Sequence, residues 1–278
     1  MSGRNVIYFL ILITSVFLII IYNCLSYQFS SMIIPQRTIE LIKLNRSDFY
    51  ENIGVIIEFR SSDLLVSIIE NVLSHIPSHW PIQLFHGREN LNFIRNSTLN
   101  RYIEHNRIFL TELDSIVVDA MGFTSRLLTN ISFWQLVRGE KVLLFQLDSL
   151  FCSNSSHKIE DYLSYDYIGA PWHSRFQIPV KVGNGGFSLR SRSKILSLLN
   201  ILTYNASCKY HEDIWFSQNL HLVNGTIAPE HIAKTFSVET MFYPKPLAIH
   251  KPIYLQADQL AELCQNCPDM KLIPQFCK

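Results

Sequence analysis

Between Gly54 and Leu110 the chain alternates short apolar runs with a helical stripe, and no hairpin turn joins them. That order is the mark of a parallel α/β sheet, because parallel strands need a crossover between them. Gly54-Val-Ile-Ile-Glu-Phe59 reads as a buried strand. Arg60-Ser-Ser-Asp63 follows with good N-cap residues. Leu64, Leu65, Ile68, Ile69, Val72 and Leu73 then repeat at the spacing of one helical face, and Pro77 ends the helix. Pro81-Ile-Gln-Leu-Phe85 is a second strand, and Arg107-Ile-Phe-Leu110 a third.

A second helix is predicted over Thr124–Arg138, with Leu127, Leu128, Ile131, Trp134 and Val137 on one side. Gly139 serves as its C-terminal cap. Lys141-Val-Leu-Leu-Phe145 is apolar enough for the centre of the sheet. It runs directly into Gln146-Leu147-Asp148-Ser149. Ligands of open α/β sheets bind beyond the C-terminal ends of strands, so Asp148 stands where a ligand is expected.

The amino terminus sets the compartment. Residues 6–25 are almost wholly apolar, about the length of a membrane-spanning helix. No charge occurs between Arg4 and Arg37, and the flanking positive charge precedes the run. This reads as a signal anchor with a cytoplasmic tail (1–5), a stem (26–50) and a lumenal domain (51–278). A cleaved signal peptide is the alternative, although the run is long and Tyr22–Tyr27 is a poor cleavage site. Sequons at Asn45, Asn96, Asn130, Asn154, Asn205 and Asn224 fit glycosylation in a lumen, with Asn130 inside the predicted helix. Beyond Cys24 stand Cys152, Cys208, Cys264, Cys267 and Cys277, an odd set of which some should pair in an oxidising lumen. Cys264-Gln-Asn-Cys267 has redox-motif spacing, but the Pro268 that follows favours a structural bridge. Net charge is +1 and only 17% of residues are charged, so nucleic acid is not an expected partner.

Four clusters bear on chemistry. Asp148 suits a Mg²⁺ or Mn²⁺ ion holding a nucleotide diphosphate, or else is a capping residue. Val182-Gly-Asn-Gly-Gly-Phe-Ser188 lets backbone approach a ligand closely, or is a tight turn before a helix starting near Arg192. His211-Glu212-Asp213 offers paired carboxylates, or acids that suit a helix N-terminus. His250, in Ala248-Ile-His-Lys-Pro252, either returns to a metal or is structural.

In their order these clusters resemble the layout of GT-A glycosyltransferases, many of which are type II lumenal membrane proteins. The resemblance extends to a eukaryotic domain-of-unknown-function family with a glycosyltransferase-like character. Its strings here are Ile57-Glu-Phe-Arg60, Trp80-Pro-Ile-Gln-Leu-Phe-His-Gly87, Arg126-Leu-Leu-Thr129 with Phe133-Trp134, and Glu140-Lys-Val-Leu-Leu-Phe-Gln-Leu-Asp-Ser149. They continue in Tyr165-Asp-Tyr-Ile-Gly-Ala-Pro-Trp172, Gly183-Asn-Gly-Gly-Phe-Ser-Leu-Arg190, Glu212-Asp213 and His250-Lys-Pro252.

The resemblance implies an α/β, GT-A-like mixed, mostly parallel sheet flanked by helices and preceded by one transmembrane helix. It also implies a nucleotide sugar as donor, a glycan, protein or lipid as acceptor, and a Golgi or endoplasmic-reticulum membrane. Glu58, Arg60, His86, Asp148, Asn184, Gly185 and Gly186 would bind the nucleotide sugar. Asp148 and His250 would hold the metal. Asp213, or else Glu212, would be the general base. Gln146-Leu147-Asp148 has one acid where metal-dependent GT-A enzymes carry Asp-x-Asp, which leaves metal dependence open. Two other readings stand beside this one: a two-carboxylate glycoside hydrolase, and a non-catalytic lumenal sugar-binding or scaffold protein.

Overall fold

The structure, a computed structural model, describes residues 49–113, 122–205 and 210–277. The proposed anchor at 6–25, nearly all of the stem, Asn45, Cys24 and Cys208 lie outside the described residues. Among the described residues, no helix is long and apolar enough to cross a membrane. Residues 49–113, 122–204 and 211–277 belong to one compact unit.

Its frame is a six-stranded sheet. In chain order the strands are β1 (Tyr50–Ile57), β2 (Ile82–His86), β3 (Ile108–Glu112), β4 (Gly139–Phe145), β6 (Tyr167–Gly169) and β7 (Phe187–Ser191). They lie side by side as β3-β2-β1-β4-β7-β6. The first four are mutually parallel, as the strand–helix–strand order predicts. β7 runs antiparallel to both neighbours, so the sheet is mixed. A smaller sheet is made of β5 (Ser149–Phe151), β8 (Ser237–Val238) and β9 (Ala248–His250), in the order β5-β9-β8.

Period-two alternation sends each central strand's side chains to two cores. Ile56, Leu143 and Phe145 enter one core with Leu65, Ile68, Ile69 and Val72 of helix α1 (Asp63–His75). Ile53, Val55, Val142 and Leu144 enter the other. Each such side chain, removed from water, contributes about 1.5–3 kcal/mol. Ser62 caps α1 by accepting from the backbone N–H of Leu64 at 3.2 Å.

The predicted helix over Thr124–Arg138 is two short helices instead. They follow α2 (Leu91–Asn96) and α3 (Asn100–Glu104), and are α4 (Phe123–Leu128) and α5 (Ile131–Leu136). The break falls at Asn130, which is extended and accepts from the N–H of Ser132 at 2.8 Å. An Asn side chain that bonds its own backbone two residues on favours a helix start over a helix interior. Gly139 therefore opens β4 rather than capping a helix. The helix expected near Arg192 is α6 (Arg192–Ile201), and β7 lies between it and the glycine loop. Later come α7 (Glu212–Asn219), α8 (Glu230–Phe236) and α9 (Ala257–Asn266).

Disulfides join Cys152 to Cys267 and Cys264 to Cys277. The two cysteines of the C-x-x-C string thus bridge to different partners, not to each other. Asn71 of α1 donates to Phe151 O (3.2 Å) and accepts from Phe151 N (2.8 Å), which ties β5 to the first core.

Candidate active site

The small sheet assembles what the sequence scatters. β5 and β9 pair with Ser149 opposite His250, and the N–H of Lys251 donates to Asp148 O at 2.9 Å. His250 Nε2 consequently faces Asp148 Oδ1 at 3.4 Å. β8 pairs with β9 on the other side, Val238 opposite Ile249, so Glu239 emerges beside His250. Its Oε1 lies 3.5 Å from His250 Nδ1. His250 and Glu239 are buried, and the Asp148 side chain is about one-third exposed. Burial pushes the Asp148 carboxyl up, but the neighbouring His250, with the backbone and Lys251, outweighs it and leaves the carboxyl below the usual carboxylate range.

The glycine loop closes over this group. Asn184 Nδ2 donates to Glu239 Oε2 at 2.8 Å, and the N–H of Gly186 donates to Asn184 Oδ1 at 3.1 Å. A Cβ on Gly186 would collide with the His250 ring. Gly183, at φ +124°, holds a conformation that L side chains rarely adopt. These glycines therefore answer to packing and backbone geometry beyond an ordinary turn.

The acidic pair divides by environment. Glu212, buried at the start of α7, accepts from Ser125 Oγ at 3.1 Å and lies 3.5 Å from Arg190 Nη2. Arg190 is wholly buried on β7, between the rings of Tyr167 (4.9 Å) and Phe216 (5.6 Å). Asp213 is partly exposed and takes backbone N–H donors from Ile214 (2.7 Å) and Gly185 (3.1 Å). Desolvation, then the charge of Glu212, push its carboxyl up to about 7, against those donors and Arg190.

A cleft of about 310 Å³ opens at the C-terminal ends of β1 and β4, lined among others by Glu58, Arg60, Phe123, Leu127 and Gln146. Glu58 is buried and grips Arg60 through Nε (2.8 Å) and Nη2 (2.7 Å), while the Arg60 side chain is 75% exposed. The Glu58 hydrogen bond, against some desolvation, raises the guanidinium pKa, and the charge of Asp148 adds to it.

Of the residues read from sequence, Glu58 and Arg60 line the cleft, and Asp148, Asn184, Gly185, Gly186, Asp213 and His250 form the neighbouring cluster. Glu212 is spent on Arg190 and Ser125. His86 does not line the cleft; it is buried at the end of β2, with Nδ1 donating to Gly87 O at 2.8 Å. Glu239 and Arg190 were not singled out from sequence. Arg190 closes the Gly183-Asn-Gly-Gly-Phe-Ser-Leu-Arg190 string, whereas Glu239 belongs to no motif.

The metal expectation can be tested on the donors. Among the described residues, no group of three or more His, Cys, Asp and Glu side chains is placed to hold an ion. Asp148 Oδ1 and His250 Nε2 form a two-donor half-site. Their 3.4 Å gap exceeds a good hydrogen bond. Two ligands roughly 2.1 Å from a small ion and at right angles stand about 3 Å apart. Cations that act on phosphates commonly take only one or two protein ligands, the rest coming from phosphate and water. The pair fits Mg²⁺ or Mn²⁺ on those terms.

The family described as Protein of unknown function (DUF5672) matches residues 107–250, which span β3 to β9 and hold Asp148, the glycine loop, Asp213, Glu239 and His250. No curated protein matches the chain. Among solved structures, the chain is similar to the apo-form glycosyltransferase GlyE of Streptococcus pneumoniae TIGR4, at 17% identity and TM-score 0.46, over 76% of this chain and 56% of that one. It is also similar to the apo bifunctional glycosyltransferase WbbM, at 13% identity and TM-score 0.46, over 82% and 52%. The chain thus spans just over half the length of each.

Proposed function

Because the chain belongs to the DUF5672 family of proteins of unknown function, and the matched segment carries the cluster of Asp148, the glycine loop, Asp213 and His250, we propose that it is a glycosyltransferase that moves a sugar from a nucleotide-sugar donor to a hydroxyl acceptor. The observation that carries this reading is the juxtaposition of Asp148 and His250 beside Gly185–Gly186 and Asp213, next to the cleft of Glu58 and Arg60.

The cleft takes the nucleoside, with Phe123 and Leu127 offering apolar surface and Glu58 fixing Arg60 toward the phosphates. Asp148 and His250 would hold a divalent cation, which neutralises the charge of the leaving diphosphate when bound. Arg60 and Lys251 add positive charge on the same side. The acceptor hydroxyl approaches over Gly185. As its oxygen bonds to the anomeric carbon, its proton passes to Asp213, and the nucleoside diphosphate departs with the pair of the broken C–O bond. A base with a pKa near 7 suits this task, since it is substantially ionised at neutral pH yet basic enough to accept the proton. Glu212 is committed to Arg190, so the role falls to Asp213.

A lumenal, type II setting in the Golgi or endoplasmic reticulum is part of the proposal. Its support is the charge asymmetry about residues 6–25, the two disulfides, and the exposed sequons at Asn96, Asn130, Asn154 and Asn224. The decisive experiment is a melting-temperature screen against nucleotide sugars and nucleoside diphosphates, with and without Mn²⁺, followed by assay of sugar transfer from any stabilising donor. Stabilisation by a donor and transfer from it are expected. Sugar binding without nucleotide dependence or turnover would replace the reading with the non-catalytic one.

A further inference from the structure

We propose that Glu239 is the positioning residue that presents Nε2 of His250 to the cation of the donor diphosphate, by accepting the proton on Nδ1. This rests on the cation reading of Asp148 and His250 given above. Neutral imidazole carries one proton, and the nitrogen that binds a metal must be the other one. Ligating histidines generally direct their second N–H at a carboxylate or carbonyl, which fixes the tautomer and raises the basicity of the ligating nitrogen.

The three groups here are arranged for that. Nε2 looks at Asp148 and Nδ1 at Glu239 Oε1, from opposite sides of one ring. Nδ1 is buried and has no hydrogen-bond partner, so it needs an acceptor. The 3.5 Å gap to Glu239 closes to a hydrogen bond with a shift of about 0.5 Å. The carboxylate is itself held, with Oε2 accepting from Asn184 Nδ2 at 2.8 Å. Asn184 in turn accepts from the N–H of Gly186, the residue lying against the His250 ring. The glycine loop thereby gains a second purpose: it braces the carboxylate that orients the ligand.

The test is Mn²⁺ binding, read by electron paramagnetic resonance of the free ion. It uses the full chain with UDP and, in parallel, GDP, so no turnover is needed. Glu239→Ala is expected to weaken Mn²⁺ about 10- to 100-fold, the usual effect of losing such a partner. Glu239→Gln keeps the shape and an acceptor oxygen but not the charge, so it should recover part of the loss. Circular dichroism establishes that each variant is folded, and if the Ala variant is not, the Gln variant carries the comparison. A folded variant that binds Mn²⁺ as tightly as wild type overturns the role of Glu239 and leaves the cation site standing. Wild type that binds no Mn²⁺ with either nucleotide overturns the cation reading itself.

Discussion

His250 Nε2 stands 3.4 Å from Asp148 Oδ1, although about a hundred residues of sequence separate them. The contact is enforced by backbone. Ser149 pairs with His250, and Lys251 N bonds Asp148 O. Lys251 takes a left-handed φ of 42°, which turns the chain away just after the histidine. Local strain of this kind, retained beside a candidate site, is a feature to test.

Asp148 should be required for nucleotide binding. A ligand at a hundredfold excess over its dissociation constant stabilises a fold by about 2.7 kcal/mol. UDP or GDP with Mn²⁺ should therefore raise the melting temperature of wild type, and Asp148→Ala should remove the rise. An undiminished shift in the variant would take Asp148 out of the site.

Asp213→Asn preserves shape and removes the proton acceptor. Transfer should slow by about 10²–10⁴, with donor binding unchanged. In wild type, the rate should climb with pH and level off above the carboxyl's value of about 7. Near-normal turnover in the variant would move the role elsewhere.

The same carboxyl should mark stability. Its folded value of about 7 exceeds the ordinary Asp value of about 3.9, so the native state holds the proton more tightly than the unfolded chain. Its contribution is complete below about pH 4 and is lost as pH rises through about 7. The melting temperature of Asp213→Asn should therefore gain on wild type between about pH 4 and pH 8. Parallel curves would show that the group titrates normally.

Gly186→Ala should fold yet lose the site. Its methyl group would occupy the space of the His250 ring, and overpacking of this kind costs about 1–3 kcal/mol. Mn²⁺ affinity should fall at least about tenfold, because the ring is displaced from Asp148. Wild-type affinity in this variant would separate the loop from the histidine.

The bridges should differ in weight. Cys152–Cys267 closes a separation of 115 residues and Cys264–Cys277 one of 13. Chain entropy assigns roughly 4–5 kcal/mol to the longer and about 3 kcal/mol to the shorter. In urea, Cys152→Ser should lower the midpoint more than Cys264→Ser. The reverse order would place the larger constraint at the C-terminus.

Local periodicity determined the elements whose stability is local or central. The apolar stripe of Leu65, Ile68, Ile69 and Val72 named α1, and the runs ending at Phe85, Leu110 and Phe145 named three parallel strands. Asp148 was legible because it follows the most apolar of these runs. Glu58 and Arg60 were legible because they stand at the end of the earlier run, Gly54–Phe59. What remained hidden depends on pairings distant in sequence. The antiparallel β7 buries Arg190 against Glu212, and nothing near either residue encodes the other. The helix expected through Asn130 failed because one side chain capped a new start. Glu239 follows a two-residue strand that has no periodicity to read, and it meets His250 only because β8 pairs with β9. A period reports which face a residue takes within its own element, while the neighbour across that face is chosen by the sheet as a whole, through backbone pairings that carry no side-chain signature.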